Sequence, residues 1–167
     1  MNWRRRALAP VAFALACASV ASLASAGPAK SVPTLEIRVI HATQSDGGAA
    51  IDADLRDLPQ LTRDQPFVRY NVYKLLARKL QALEEGKPEA YGLVNGRTLQ
   101  VTLVDVTTTS APHPDRRYHI RAAIGEPGKQ AFLKLLEVTA SEGQPFFVGG
   151  QTYEGGTLFL ELVLYGT

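Results

Sequence analysis

Residues 157–165 read Thr-Leu-Phe-Leu-Glu-Leu-Val-Leu-Tyr. In an extended chain Leu158, Leu160, Leu162 and Leu164 share one face, and Phe159, Val163 and Tyr165 share the other. A strand that is apolar on both faces is expected in the middle of its sheet, because water on either side would meet a row of large apolar groups. That requirement points to a layered, β-rich domain.

Much of the remaining chain has the same character. Thr34 to His41 places Leu35, Ile37, Val39 and His41 on one face and Glu36, Arg38 and Ile40 on the other, which predicts a half-buried strand. Tyr118, Ile120, Ala122 and Ile124 alternate with Arg117, His119 and Arg121 in the same way. Asn95-Gly96 sits between Tyr91–Val94 and Leu99–Val106 and predicts a hairpin with a type I′ turn, both central residues at positive φ. Phe132 to Val138 is apolar on both faces and reads as a buried strand. Pro145 to Val148 is expected to pair with Thr157–Tyr165 across the Gly-rich stretch 149–156, read as a hairpin loop.

Two stretches carry helical signals. Leu55, Leu58 and Leu61 recur at spacings of three, behind Asp52 as N-cap and Asp54 in the first turn. They predict a short helix near 52–61, limited by Pro59. Val72, Leu75, Leu76, Leu80 and Leu83 fit one helical face with Gly86 as the residue after the end, whereas Lys74 and Arg78 interrupt a strand register.

Ile40-His41-Ala42-Thr43, Leu93-Val94-Asn95-Gly96-Arg97-Thr98-Leu99 and the stretch 143–158, with Val148-Gly149-Gly150 and Tyr153-Glu154-Gly155-Gly156-Thr157-Leu158, together resemble a loose group of short exported bacterial β-rich proteins. The resemblance spans residues 35–165 and rests on turn-and-strand motifs. It comes with no established activity and implies no catalytic residue. Where this chain has Lys74-Leu75-Leu76-Ala77-Arg78-Lys79-Leu80, the similar sequences are richer in Ser, Thr and Val, which implies a strand against the periodicity. Ala, Arg, Lys and Gln in this chain are better helix formers and pull the other way.

The fold expected is mainly β: a sandwich or barrel of about seven to eight mostly antiparallel strands with one short helix near 52–61. The alternative is an α+β arrangement with a second helix at 72–85.

The N-terminus reads as an address. Arg4, Arg5 and Arg6 precede an apolar run from Ala7 to Ala24, which ends in Ala24-Ser25-Ala26. This is the plan of a secretory signal peptide over 1–26, followed by a linker at 27–33 and a single domain at 34–167. The run is Ala/Ser-rich and a poor spanning helix. Ala14-Leu15-Ala16-Cys17 departs from a lipoprotein box in having Ala three residues before Cys17. Membrane attachment is expected only if Cys17 is lipidated or the signal stays uncleaved. Cleavage after Ala26 removes three of the 18 basic residues and none of the 16 acidic ones, so the net charge moves from +2 to −1. No nucleic-acid partner is expected on that balance. Cleavage also removes the only Cys, and with it any disulfide or thiolate chemistry.

Candidate chemistry is sparse. His41, with Asp46 nearby in sequence, is the one candidate titratable site; the competing reading is a hydrogen-bonded histidine at the core edge. Asp46, Asp52, Asp54 and Asp57 form an acidic cluster whose spacing fits no calcium loop. His41, His113 and His119 include no close pair of the kind a zinc site uses. No metal, no cofactor and no catalytic residue is expected. Arg117, His119 and Arg121, with Arg116, form a basic stripe, and Tyr153 is an aromatic in the glycine-rich stretch. These four, Arg117, His119, Arg121 and Tyr153, are candidates for a partner surface, toward an envelope protein or glycan. The function expected is an exported, non-catalytic binding or assembly module of the periplasm or cell surface. The alternative is a small exported hydrolase or carbohydrate-active enzyme using His41 and the nearby aspartates.

Overall fold

A computed structural model describes residues 32–110, 115–127 and 132–166, with the backbone alone at 132–135. The expected signal peptide, Cys17, most of the 27–33 linker and His113 lie outside the described residues.

The chain is a sandwich of two sheets, not a closed barrel. Nine strands are formed among the described residues: β1 (Thr34–Thr43), β2 (Ala50–Ile51), β3 (Val72–Ala82), β4 (Pro88–Gly92), β5 (Thr98–Thr108), β6 (Arg116–Gly125), β7 (Phe132–Ser141), β8 (Phe146–Tyr153) and β9 (Gly156–Tyr165). One sheet has the order β2-β3-β1-β9-β8 and the other β4-β5-β6-β7. All pairs are antiparallel except the two-residue pairing of β2 with β3.

The strand apolar on both faces is central, as its composition requires: β9 lies between β1 and β8. Leu158, Leu160, Leu162 and Leu164 face the second sheet with Leu35, Ile37 and Val39 of β1, meeting Leu99, Val101 and Leu103 of β5 and Tyr118 and Ile120 of β6. Phe159, on the other face of β9, joins a second core with Ile40, Ala42, Leu55, Leu58, Leu61, Phe67 and Tyr73. This second core lies under the segment between β2 and β3. There the single helix expected near 52–61 is instead a 3₁₀ turn at Ala53–Leu55, the one-turn helix α1 at Gln60–Arg63 and a further 3₁₀ turn at Phe67–Arg69. Pro59 stands at the start of α1, where its missing N–H costs nothing, and so divides the segment. The three leucines are buried all the same.

β1 is the first correction. It is not half-buried: Glu36, Arg38 and Ile40 are only 3%, 7% and 0% exposed. The covering 52–70 segment, not a second sheet, closes the outer side at Arg38 and Ile40. The stretch 72–85 carries no helix; it is β3 plus a turn. A bulge explains its misleading pattern. Val39 pairs with Ala77 but Ile40 pairs with Leu75, so Leu76 is an extra residue. Side chains change face there, and a period-2 count across the bulge fails.

The Asn95-Gly96 hairpin forms between β4 and β5, but its turn is not type I′. Gly96 alone has positive φ, the Leu93 N–H bonds the Arg97 carbonyl at 2.7 Å and the Gly96 N–H bonds the Leu93 carbonyl at 3.0 Å. This is a turn closed by a glycine bulge, the next most common hairpin solution. The I′-like turn falls instead at Glu154 (φ 41) and Gly155 (φ 73), between the paired residues Tyr153 and Gly156. The stretch 149–156 is therefore mostly strand, with Gly150 as a bulge in β8.

Candidate functional site

The outer face of the five-stranded sheet holds an ion cluster. β1 and β9 place Arg38 directly opposite Glu161, and β3 places Arg78 on the other side of Arg38. Nη1 of Arg38 donates to the Asp54 carbonyl (3.1 Å) and to Asp57 Oδ1 (2.9 Å). Nη2 donates to Asp57 Oδ2 (3.0 Å) and Glu161 Oε1 (3.0 Å), and Nε lies 2.5 Å from Glu161 Oε2. One guanidinium thus holds the Asp57 carboxylate in fork geometry, ion-pairs with Glu161 and donates to one backbone carbonyl. Glu36 receives Arg78 Nε at 2.7 Å and the Tyr165 hydroxyl at 3.2 Å.

Burial, the largest influence, pushes Glu161 up to about 7, against the pull of Arg38 and with the charges of Asp57 and Glu36 adding to it. Burial also works against the Arg38 charge, but the Asp57 hydrogen bond and the surrounding carboxylates outweigh it and raise its pKa. The Arg38 hydrogen bond holds Asp57 below the usual carboxylate range. Glu161 is 1% exposed and Arg38 7%, while the Asp57 side chain is 61% exposed. The cluster is closed to anything as large as a substrate; what it can do is tie 54–57 to the sheet. A charge within an otherwise apolar strand, Glu161, was the available sequence signal for it.

The next feature follows β8. Phe67 stacks near Phe147 and Phe159, with ring centroids 4.7 and 4.8 Å apart, and Tyr70 meets Phe159 edge-on at 5.7 Å. Between these rings, Pro66 and Gly149–Gly150 is an open cavity of about 170 Å³. On the opposite face of β8 a second cavity, about 210 Å³, is lined by Ala122, Ile124, Leu136, Val148 and Gly149 with Phe147. Gly149 is needed between them: a Cβ there would come within 2.5 Å of the Phe159 ring.

The residues singled out from sequence fall into separate places. His41 and Tyr153 are brought together. Nε2 of His41 donates to the Tyr153 carbonyl at 3.0 Å, and the two rings meet edge-on at 5.3 Å. A carbonyl only accepts, so Nε2 carries the proton. Both residues are half-buried at the end of the sandwich, and Tyr153 packs against the main core. Asp46 stands in the exposed loop 44–49 and is not the partner of His41. Asp52, expected as an N-cap, makes no cap hydrogen bond; its Oδ2 accepts the Leu75 N–H at 2.7 Å and closes part of the β3 edge. Arg117, His119 and Arg121 share the outer face of β6, each beside an acid: Asp115 at 3.0 Å, Asp105 at 3.5 Å and Glu137 at 3.0 Å. The basic stripe is thus a row of exposed pairs. Among the described residues, no group of three or more His, Cys, Asp or Glu is placed to hold a metal ion, and no helix is long and apolar enough to cross a membrane.

No family model, no curated protein and no solved structure matches the chain.

Proposed function

We propose that the chain is an exported, non-catalytic binding or assembly module of the bacterial periplasm or cell surface. The observation that carries this reading is the pair of apolar cavities on either face of β8, of which the outer one is walled by Phe67, Phe147 and Phe159. Open concavities lined by apolar and aromatic side chains are suited to receive an apolar group of another molecule. Export rests on the Arg4–Arg6 and Ala24–Ala26 pattern of the N-terminus.

Two measurements test the two halves of the proposal. Intact mass of protein recovered from cells should match Gly27–Thr167; a mass that keeps residues 1–26 removes the cleaved-export half. A photo-crosslinking residue placed in turn on β8, on β3 and at Arg117 should capture an envelope component from at least one surface in living cells. Capture from none of the three removes the binding half.

A further inference from the structure

The edges of the two sheets differ in their charge and in their readiness to accept a further strand. Three of the four edges are guarded. β3, which forms the edge beyond the two-residue β2, carries Lys74, Arg78 and Lys79, β4 begins at Pro88 and carries Glu89, and β7 carries Glu137 paired with Arg121. Charges and prolines at an edge discourage the addition of another strand. β8 is different. Among the described residues it pairs only with β9, and its eight residues, Phe146 to Tyr153, include no Lys, Arg, Asp, Glu or Pro. Among the described residues, none that lines either flanking cavity is charged.

Resting on the reading of this chain as a binding module, we propose that β8 is a docking edge for an extended, uncharged, apolar segment of a partner protein. The segment adds as a further strand, and two successive side chains enter the two cavities. Successive side chains of a strand point to opposite faces, which is how the cavities are disposed about Gly149. An apolar cavity of about 150 Å³ is filled by a benzene-sized group, so each receives one large apolar side chain. The bulge at Gly150 divides β8 into two regularly paired stretches, Phe146–Gly149 beside the cavities and Gln151–Tyr153 beyond them, and the added strand follows both. The absence of charge along β8 and among the residues lining the outer cavity selects an uncharged strand, since a buried ionised group would lie there unpaired. A second copy fits less well: antiparallel pairing of two β8 strands about their centres lays glycine against glycine and fills neither cavity.

A short fluorescent peptide, Thr-rich with a central Val-Ile pair and blocked at both ends, tests this against the folded protein. Anisotropy should show saturable binding, and hydrogen exchange should slow at β8 amides and not at β3 amides. Thr152→Lys, on the exposed side of β8, should weaken binding by about tenfold or more; Leu80→Lys on β3 should not. Val148→Lys, inside the inner cavity, gives a second reading, with circular dichroism reporting that both variants fold. Peptide binding indifferent to both β8 variants, protection at β3 instead, or self-association through β8 without peptide overturns the docking edge. Crosslinking in cells separates this failure from that of the broader reading. A partner captured from β3 or Arg117 but not from β8 overturns the edge alone; capture from no surface overturns both.

Discussion

The segment 52–70 is held to the outer face of one sheet by two unlike devices. At one end Arg38 holds Asp57 by a two-pronged ion pair and the Asp54 carbonyl by a third hydrogen bond. At the other, Leu61 and Phe67 pack on Tyr73 and Phe159, and the Tyr73 hydroxyl reaches the carbonyls of Phe67 (2.6 Å) and Leu61 (3.0 Å). The charged end is closed, its buried groups ion-paired with one another and Glu161 beneath them. The aromatic end keeps an open cavity between its rings. Charges removed from water must be paired on all sides, so they leave no room; rings gain from area alone and can leave a face unfilled.

Arg38→Ala should have the largest effect, about 3–5 kcal/mol in chemical denaturation, because Glu161 loses its partner while staying buried. Tyr73→Phe should cost about 1–3 kcal/mol by leaving the two turn carbonyls without their donor. If the Tyr73 variant proves the costlier, the aromatic end is the stronger fastening and the comparison reverses. Burial has already raised the Tyr73 hydroxyl to about 12, so its contribution should not vary with pH through neutrality.

A pH titration sharpens the charged end. Glu161 releases its proton near 4.5 when unfolded and near 7 when folded. Between these values the folded state binds more protons, so this group makes stability fall as pH rises through the window and level off above it. Glu161→Gln should flatten that slope; an unchanged slope would assign it to another group. Asp57 acts in the opposite sense, its stabilisation disappearing as pH falls through its lowered folded pKa. The smallest effect is expected for Asp57→Asn, at most about 1 kcal/mol, since the carboxylate is largely in water. A loss as large as that of Arg38→Ala would mean that the clasp, not the burial of Glu161, dominates this end.

Legibility followed the range of the interactions. Alternation placed β1 and β6, the Asn95-Gly96 signal placed β5, and the double apolar face placed β9 at the centre of its sheet, because side-chain period and turn geometry are local. The buried cluster was legible only as two oddities, Arg38 beside Ile40 and Glu161 within a leucine strand; their pairing needs a register set by residues 123 positions apart. The bulge at Leu76 hid β3, because one inserted residue reverses every later face.

By itself, then, the amino-acid order determined a β-rich layered domain with one fully buried strand, and it marked the turns near Gly96 and Gly155. Only the tertiary structure decided that β1 has no wet face, that Asp57 is a clasp and Asp52 an edge cap, and that β8 is the uncharged edge. The reason is physical. Periodicity records which side chains leave water together, whereas the partner that shields them, and the edge that no strand covers, are set by pairings between distant parts of the chain.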